Sequence, residues 1–348
     1  MPTIAIIGAG TMGTTHAASC RNLPGVEAGW VVDLDLARAE ALAATLGARA
    51  TSDIDDALGD PAVEVVLITV PTPFHRALTE QAAAAGKHVF CEKPIALTLA
   101  DGRAMTEACA RAGVRFMVGH VVRFFPEYAR IQRLLAEDAV GQVGVVRASR
   151  LNAYPYAGRS WYANLDWSGG PVVDMLIHDF DTLRWYFGEV ERVYARGLSY
   201  SAHRDKVDYA LAILRFSNGV IAHCETSWAH TNFRTAIEIA GSEGIIRHAS
   251  EETAALRIER RDTGTPAAGV QVPRGPVAET PYQAELRHFL ARIADGGPIL
   301  TGGDEAVRAL AIALAVLESI RTGRAIPFVD GLPVMEERAT FSMQPTAS

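Results

Sequence analysis

Hydrophobic and polar residues follow two different periods in the first third of the chain. Short apolar runs predict strands, and between them apolar residues recur every three to four positions, which predicts amphipathic helices. The predicted strands are residues 3–7, 28–32, 63–69, 88–91 and 115–118, and the predicted helices are residues 12–23, 36–46, 74–85 and 99–112. This alternation predicts βαβ units and a parallel sheet with helices on both faces, as in a Rossmann domain of the α/β class.

The pattern changes after residue 123. One predicted helix, 126–136, precedes strands at 143–154, 190–200, 207–216, 220–228 and 235–240. Asn218 and Gly219 join two of these strands, and Asn-Gly is a strong hairpin signal. We therefore predict a second domain of the α+β class with a large, mainly antiparallel open sheet. The predicted division of the chain is 1–120, 121–335 and a tail at 336–348.

The strand at 208–216 carries apolar residues on both faces. One face holds Ala210, Ala212, Leu214 and Phe216, and the other holds Tyr209, Leu211 and Ile213. A sheet with one solvated face alternates more cleanly between apolar and polar residues. Helices predicted at 282–294 and 304–321 can cover one face. We expect a second copy of the chain to cover the other, in a homodimer or homotetramer.

Composition narrows the function classes. The chain has 348 residues, a net charge of −7 and basic residues scattered among acids, so we expect no nucleic-acid partner. Its four cysteines show no metal-binding spacing, which is typical of a reducing compartment. No signal peptide and no apolar run of membrane-spanning length is visible, so we expect a cytoplasmic protein without a membrane partner. The histidines form no cluster with metal-binding spacing, so we expect no metal site.

A glycine-rich turn connects the first predicted strand and helix. Its residues are Gly8, Ala9, Gly10, Thr11, Met12 and Gly13. Gly8 allows the tight turn, Gly10 lets the backbone approach a pyrophosphate, and Gly13 lets helix and strand pack closely. The amino end of the helix offers free N–H groups to phosphates. We predict that this turn binds a dinucleotide.

Asp33 ends the next predicted strand, twenty positions after Gly13. A carboxylate there accepts hydrogen bonds from ribose hydroxyls and repels a 2′-phosphate, so NAD is favoured over NADP. The loop after the third strand lies at the same edge of the sheet and is a second candidate for cofactor contact. Its candidate residues are Thr69, Pro71, Thr72 and His75.

Two further stretches contain candidate catalytic residues. Glu92, Lys93 and Pro94 follow the predicted strand 88–91, at the edge where open α/β sheets bind ligands. If residues from 171 onward are helical, Asp174, His178 and Asp181 lie on one face at i, i+4 and i+7. We interpret that polar row, on an otherwise apolar helix, as a titratable row that faces a cleft. A histidine satisfied by a neighbouring aspartate for structural reasons is the alternative.

These motifs together resemble the Gfo/Idh/MocA oxidoreductases, over almost the whole chain. The resemblance implies a Rossmann domain, an oligomer formed through the open sheet, and oxidation of a hydroxyl on a sugar or a cyclitol such as inositol. It implies that Lys93, Asp174 and His178 form the catalytic trio, with Asp181 near substrate hydroxyls. We expect His178 to act as general base and Asp174 to orient the imidazole or relay its proton outward. We expect Lys93 to stabilise the oxyanion and Glu92 to hold Lys93 or the nicotinamide ribose.

Substrate determinants are less sharply indicated. Arg123 and Phe124 match a family position near the active site. Asn152, Tyr154 and Trp161 lie on the approach to Gly169 and supply the aromatic faces and hydrogen-bonding groups that suit a polyol, although aromatic residues also pack loops. Two other functions stay open: a redox-neutral sugar-converting enzyme that retains NAD, and a non-catalytic NAD-binding regulator on the same fold.

Overall fold

The computed structural model of the chain describes residues 2–153, 161, 164–198, 208–251, 257–260 and 279–335. It divides into two compact units, Met1–Phe125 with Val277–Val307, and Pro126–Pro276 with Arg308–Ser348. A segment from late in the chain therefore belongs to the first unit. The predicted tail at 336–348 lies outside the described residues.

The first unit contains a parallel sheet of six strands. They are β1 (Thr3–Ile7), β2 (Glu27–Val32), β3 (Arg49–Thr51), β4 (Val63–Ile68), β5 (His88–Cys91) and β6 (Phe116–Val118). Their order is β3-β2-β1-β4-β5-β6. The order reverses between β1 and β4, and such a switch point is where open α/β sheets bind nucleotides outside the carboxyl ends of their strands. The short strand β3 was not predicted.

Helices connect these strands. Four have bounds close to those predicted, and the short helix at Ile54–Leu58 was not predicted. The helices are α1 (Thr11–Asn22), α2 (Leu36–Ala44), α3 (Ile54–Leu58), α4 (His75–Ala84) and α5 (Leu99–Ala112), with short 3₁₀ turns at Thr72–Phe74 and Val121–Phe124. Side-chain caps explain where several begin. The Asp35 side chain accepts a hydrogen bond from the amide of Arg38 at the start of α2, and the Thr98 hydroxyl accepts one from the amide of Asp101 at the start of α5.

The second unit is built around a nine-stranded sheet in the described part of the chain. Its strands are β7 (Val143–Ala153), β8 (Val190–Leu198), β9 (Tyr209–Phe216), β10 (Ile221–Ser227), β11 (Ala229–Gly241), β12 (Gly244–Ala249), β13 (Arg257–Arg260), β14 (Ile326–Val329) and β15 (Leu332–Pro333). Their order is β13-β12-β11-β7-β10-β9-β8-β14-β15. All pairs are antiparallel except β7 with β10, which is parallel. Asn218 and Gly219 do form the β9–β10 hairpin.

The remaining helices are α6 (Pro126–Ala136), α7 (Leu165–Ser168), a π-helical turn at Val172–Leu176, α8 (Ile177–Phe187), α9 (Pro281–Asp295) and α10 (Gly303–Thr322). α10 begins in the first unit and continues into the second. No helix in the described ranges combines the length and the apolar character that a membrane span requires.

The helix predicted at 282–294 was suggested as a cover for the second sheet, but its packing within a unit is in the first unit. This helix, α9, belongs to the first unit, where it packs beside α1. Leu286 and Phe289 are fully buried in the core that contains Phe90 of β5, and the rings of Phe90 and Phe289 lie 6.1 Å apart. An amphipathic pattern shows that a helix has a buried face, but it does not show which sheet receives that face.

The two faces of the large sheet differ, as strand β9 shows. Ala210, Ala212 and Leu214 are completely buried. On the opposite face, Leu211 is 41% exposed and Ile213 is 39% exposed. Neighbouring strands continue this exposed face with Val145 and Ile221. This face is open and mixed, because Ile213 is paired with His223 and Leu211 with Glu225.

Candidate functional site

The glycine-rich turn lies between β1 and α1, as predicted. Gly8 has a φ of +105°, which favours glycine. A Cβ added at position 13 would lie 1.9 Å from the carbonyl oxygen of Gly8, so only glycine fits there. At Gly10, by contrast, a Cβ would meet no atom within 4 Å. Gly10 is the N-cap of α1, and no side chain caps the helix there. The turn therefore leaves open space and helix amides where a pyrophosphate would approach.

Asp33 lies just past the carboxyl end of β2. One of its carboxylate oxygens accepts a hydrogen bond from the amide of Ala9 at 2.7 Å, and the other accepts one from the amide of Asp35 at 2.9 Å. The carboxylate thus supports the glycine-rich turn. A carboxylate oxygen has more than one acceptor site, so these bonds leave acceptor capacity for ribose hydroxyls. The residues of this edge fit a dinucleotide.

The loop after β4 mainly supports the turn and the Lys93 segment. Thr69 is buried, and its hydroxyl lies 2.9 Å from the carbonyl oxygen of Ile7 and 2.8 Å from that of Gly8. His75 is also buried, and its ring nitrogens lie 2.9 Å from the carbonyl oxygens of Val70 and Pro94. Burial lowers the pKa of His75. Cofactor contact by Thr69, Pro71, Thr72 and His75 stays a prediction.

Lys93 follows β5 on the same edge of the sheet as the glycine-rich turn, because β1 and β5 are parallel members of one sheet. Lys93 is half-buried, and the peptide bond between Lys93 and Pro94 is cis. The amide of Lys93 donates a hydrogen bond to Glu92 Oε2 at 3.1 Å. Glu92 was predicted to hold Lys93, and the contact between them is this hydrogen bond to the main chain of Lys93.

The other oxygen of Glu92 has a partner that the sequence reasoning missed. Glu92 Oε1 lies 2.7 Å from Nε2 of His16, and both side chains are almost fully buried. His16 is on α1, three positions after Gly13. The sequence signal that could have revealed this pair is a histidine at a buried helix position so close to the glycine-rich turn. The pair links the helix that begins at the turn to the segment that carries Lys93.

In the second unit, the predicted polar row lies on a helical segment that is otherwise buried. Between Pro171 and Arg184, only Asp174 and His178 are partly exposed. Asp174 lies within the π-helical turn, and His178 is the second residue of α8. π-Helical turns occur frequently at functional sites. The fold therefore leaves one carboxylate and one imidazole partly exposed on a segment whose other side chains are buried.

The prediction that three residues form an exposed row is wrong at Asp181, whose side chain is completely buried. The i, i+4, i+7 row assumes a regular α-helix, and the wider π turn rotates the residues after it away from that alignment. Asp179 is buried too, and it forms a two-pronged ion pair with Arg150 of β7. This pair ties the start of α8 to the sheet, one residue after His178.

Arg123 and Phe124 have structural partners within the first unit. Arg123 is buried, donates to the carbonyl oxygen of Leu300 at 3.0 Å, and forms an ion pair with Glu305 at 3.0 Å. Phe124 packs against the core, with its ring 5.5 Å from that of His288. Their predicted contact with substrate stays a prediction.

The remaining predicted substrate residues are described only in part. Asn152 and Trp161 are half-buried. The amide of Ala153 donates to the side-chain oxygen of Asn152 at 2.8 Å. Tyr154 lies outside the described residues. Substrate contact by these three residues stays a prediction.

Two family models match consecutive parts of the chain. A model described as an oxidoreductase family with an NAD-binding Rossmann fold matches residues 3–120, and one described as the GFO/IDH/MocA C-terminal domain matches residues 128–247. The chain belongs to the Gfo/Idh/MocA family of oxidoreductases. This membership confirms the predicted family, the Rossmann domain and the second domain with a large, mostly antiparallel sheet.

Named proteins are similar to this one over most of the chain. D-apiose dehydrogenase of Paraburkholderia graminis is 32% identical, over 92% of this chain and 88% of its own. Myo-inositol 2-dehydrogenase of Thermotoga maritima is 30% identical, over 93% of this chain and 97% of its own. The crystal structure of GenD2 from gentamicin A biosynthesis, in complex with NAD, superposes with a TM-score of 0.83 at 26% identity, over 94% of this chain and 96% of that one.

Proposed function

We propose that the protein is an NAD-dependent dehydrogenase that oxidises a hydroxyl group of a small sugar or cyclitol. The observation that carries this proposal is the exposure of Asp174 and His178, and of no other residue, along the buried segment from Pro171 to Arg184. Both residues belong to the trio that the family resemblance makes catalytic, and Lys93 is its third member. Relatives named as dehydrogenases of apiose and of myo-inositol support the substrate class.

Each residue of the proposed trio has a chemical role. Oxidation requires the hydroxyl to lose a proton as carbonyl character develops, and His178 is the general base that accepts it, because an imidazole has an ordinary pKa of about 6.5. Asp174 orients the imidazole ring. The Lys93 ammonium stabilises the negative charge that develops on the same oxygen. The nicotinamide ring of bound NAD supplies the hydride acceptor.

Asp33 underlies the proposed preference for NAD over NADP. Its carboxylate has no described basic side chain as a hydrogen-bond or ion-pair partner, since its described partners are the amides of Ala9 and Asp35. A 2′-phosphate at this position would face an uncompensated negative charge. Arg38, on the next helix, is exposed and pairs with Asp35.

The open face of the large sheet supports a proposed homo-oligomer. Leu211, Ile213, Val145 and Ile221 expose apolar surface on adjacent strands, and several large apolar residues exposed on one face of a sheet favour a protein interface. We propose that a second copy of the chain covers this face. We also propose a cytoplasmic location, because a reducing compartment keeps the four buried cysteines as free thiols. Sedimentation should give a multiple of the chain mass, and Leu211→Arg should lower it, whereas a single-chain mass for wild type contradicts the proposal.

A substrate screen tests the catalytic proposal. Inositols, pentoses and hexoses are each incubated with the protein and NAD, and NADH is followed by absorbance. We expect NADH in proportion to substrate consumed for at least one of these polyols. NADH that stays bound at no more than one equivalent per chain would favour the redox-neutral enzyme with retained cofactor. NAD binding without reduction by any of these polyols would favour the regulator.

A further inference from the structure

Three titratable side chains meet inside the first unit, and none of them belongs to the proposed catalytic trio. They are His16 on α1, Glu92 after β5 and Glu285 on α9. We call them the buried acid cluster. His16 and Glu285 are 0% exposed and Glu92 is 5% exposed. One nitrogen or carboxylate oxygen of each lies within 4.8 Å of those of the other two. The cluster thus brings two carboxyl groups and an imidazole together out of water.

The three groups differ in their hydrogen bonds. Glu92 has partners on both oxygens, the imidazole of His16 at 2.7 Å and the amide of Lys93 at 3.1 Å. Glu285 is different: among the described residues, no N–H or O–H group donates to either of its oxygens. A buried carboxylate without a donor is far more costly than a buried carboxylic acid, which carries no net charge.

The surroundings of the cluster are aromatic. The His16 ring lies 5.1 Å from that of Phe90 and 6.0 Å from that of Tyr282, and Phe289 packs against Phe90. Burial raises the pKa of Glu285 well above its ordinary value, and the Glu92 carboxylate raises it further. Among the described His, Cys, Asp and Glu residues, Glu92 and His16 are grouped with Glu285, and Tyr282 lies one turn earlier on α9. The charge of Glu92 also favours higher pKa values for Cys91 and His75.

We propose that Glu285 is a neutral carboxylic acid in the folded protein at neutral pH, and that it is a positioning residue for Glu92 and, through Glu92, for Lys93. A carboxylic acid has an O–H to donate, and the Glu92 carboxylate lies within 4.8 Å. One negative charge then remains in the cluster, and the His16 ring and the Lys93 amide hold it in place. The consequence for Lys93 rests on the proposed function, but the protonation of Glu285 does not.

The pH dependence of unfolding tests the protonation. Because the pKa of Glu285 is raised by folding, its stabilising contribution is fully present below the pKa of an unfolded glutamate, about 4.3, and is lost as pH rises through the folded pKa. Glu285→Gln is isosteric with the acid and cannot ionise. The difference in urea midpoint between Glu285→Gln and wild type should therefore increase from pH 5 to about pH 8.

Glu107→Gln is the matched control, because Glu107 is an exposed glutamate on α5 of the same unit. Its difference from wild type should change little over the same range. A flat difference for Glu285→Gln as well would overturn the proposal. Both measurements use the full chain without cofactor, so their outcome does not depend on the dehydrogenase activity.

Infrared spectroscopy gives a test that does not need a folded variant. Wild-type protein at neutral pH should show the C=O stretch of a protonated carboxyl group, and its absence would overturn the proposal. Where Glu285→Gln folds, the band should disappear from its spectrum and persist in that of Glu107→Gln. A band of equal strength in Glu285→Gln would assign the proton to another group and would also overturn the proposal.

The positioning role is tested by comparing Glu285→Gln with Glu285→Met. Glutamine keeps a hydrogen-bond donor for Glu92, and methionine has similar volume but no donor. We expect Gln to keep kcat within about threefold and Met to lower it roughly tenfold, at unchanged KM for NAD, because small displacements of a catalytic group are costly. Equal losses in both variants would contradict positioning. A wild-type protein without dehydrogenase activity would instead refute the proposed function and leave the protonation result intact.

Discussion

Arg150 and Asp179 form a buried ion pair with two hydrogen bonds, Nε to Oδ2 at 2.7 Å and Nη2 to Oδ1 at 3.1 Å. Arg150 is on β7 and Asp179 is on α8, directly after His178. Both are buried, so the loss of either partner leaves an uncompensated charge in the core. The pair therefore fixes the helix that presents His178.

Removing one member of this pair should be strongly destabilising. Arg150→Met should lower the free energy of unfolding by about 3–5 kcal/mol, measured by urea denaturation. Arg150→Met combined with Asp179→Leu should recover much of that loss, because no buried charge remains. Arg147→Met is the control: Arg147 is an exposed arginine of the same strand that pairs with Glu238, and its loss should cost no more than about 1 kcal/mol. Similar losses for both arginines would contradict this account.

His178→Ala should reduce kcat by roughly 10²–10⁴-fold, which is the usual contribution of a positioned acid–base group. The measurement is steady-state NADH formation with the best polyol from the screen. Glu137→Gln, an exposed substitution at the end of α6 in the same unit, should leave kcat unchanged. Turnover of His178→Ala within a few-fold of wild type would remove His178 from the mechanism.

Lys93→Ala should reduce kcat at least as much as His178→Ala, because it removes the cation that stabilises the developing oxyanion. The Kd for NAD, measured by fluorescence titration, should change little. A lysine that only held the cofactor would give the opposite result, with weaker NAD binding and nearly normal kcat at saturation.

Gly10 and Gly13 should respond differently to the same substitution. Gly10→Ala adds a methyl group in open space, so the free energy of unfolding should change by no more than about 1 kcal/mol. Its affinity for NAD should fall at least about tenfold, or roughly 1.4 kcal/mol, because the methyl group occupies the approach of the pyrophosphate. Gly13→Ala places Cβ against the carbonyl of Gly8 and should cost stability, by about 1–3 kcal/mol. Normal NAD affinity in Gly10→Ala would argue against a pyrophosphate at this turn.

Asp33→Ser should raise the ratio of kcat/KM for NADP to that for NAD, because it removes the charge that repels a 2′-phosphate. Affinity for NAD should also fall, since the variant loses the bond from the Ala9 amide. Asp35→Ser is a close control: Asp35 caps α2 with its side chain, and serine is also a good N-cap. An unchanged ratio in Asp33→Ser would refute the role of Asp33 in cofactor choice.

Much of the first unit was predictable because its signals are local. Apolar runs and helical periods placed β1, β2, β4, β5 and β6 within a few residues. The glycines at 8 and 13 were recognisable because each meets a steric demand of the turn itself. The hairpin at Asn218 and Gly219 was predictable for the same reason. These features depend on residues close together in sequence.

Other features depended on packing between distant segments. The parallel pairing of β7 with β10 has no sequence signature at either strand. The π turn at Val172–Leu176, which removes Asp181 from the exposed row, is not visible in a pattern with α-helical spacing. The assignment of α9 to the first unit depended on which core Leu286 and Phe289 enter.

The sequence by itself determined the alternation of strands and helices, the glycine-rich turn and the place of Asp33. Through the family resemblance it also predicted Lys93, Asp174 and His178 as catalytic residues. Only the tertiary structure decided which charged groups are buried and what they contact: Glu92 with His16, Glu285 beside them, and Arg150 with Asp179. The physical reason is that backbone periodicity is set by neighbouring residues, whereas the cost of a buried charge depends on partners that the fold brings from far along the chain.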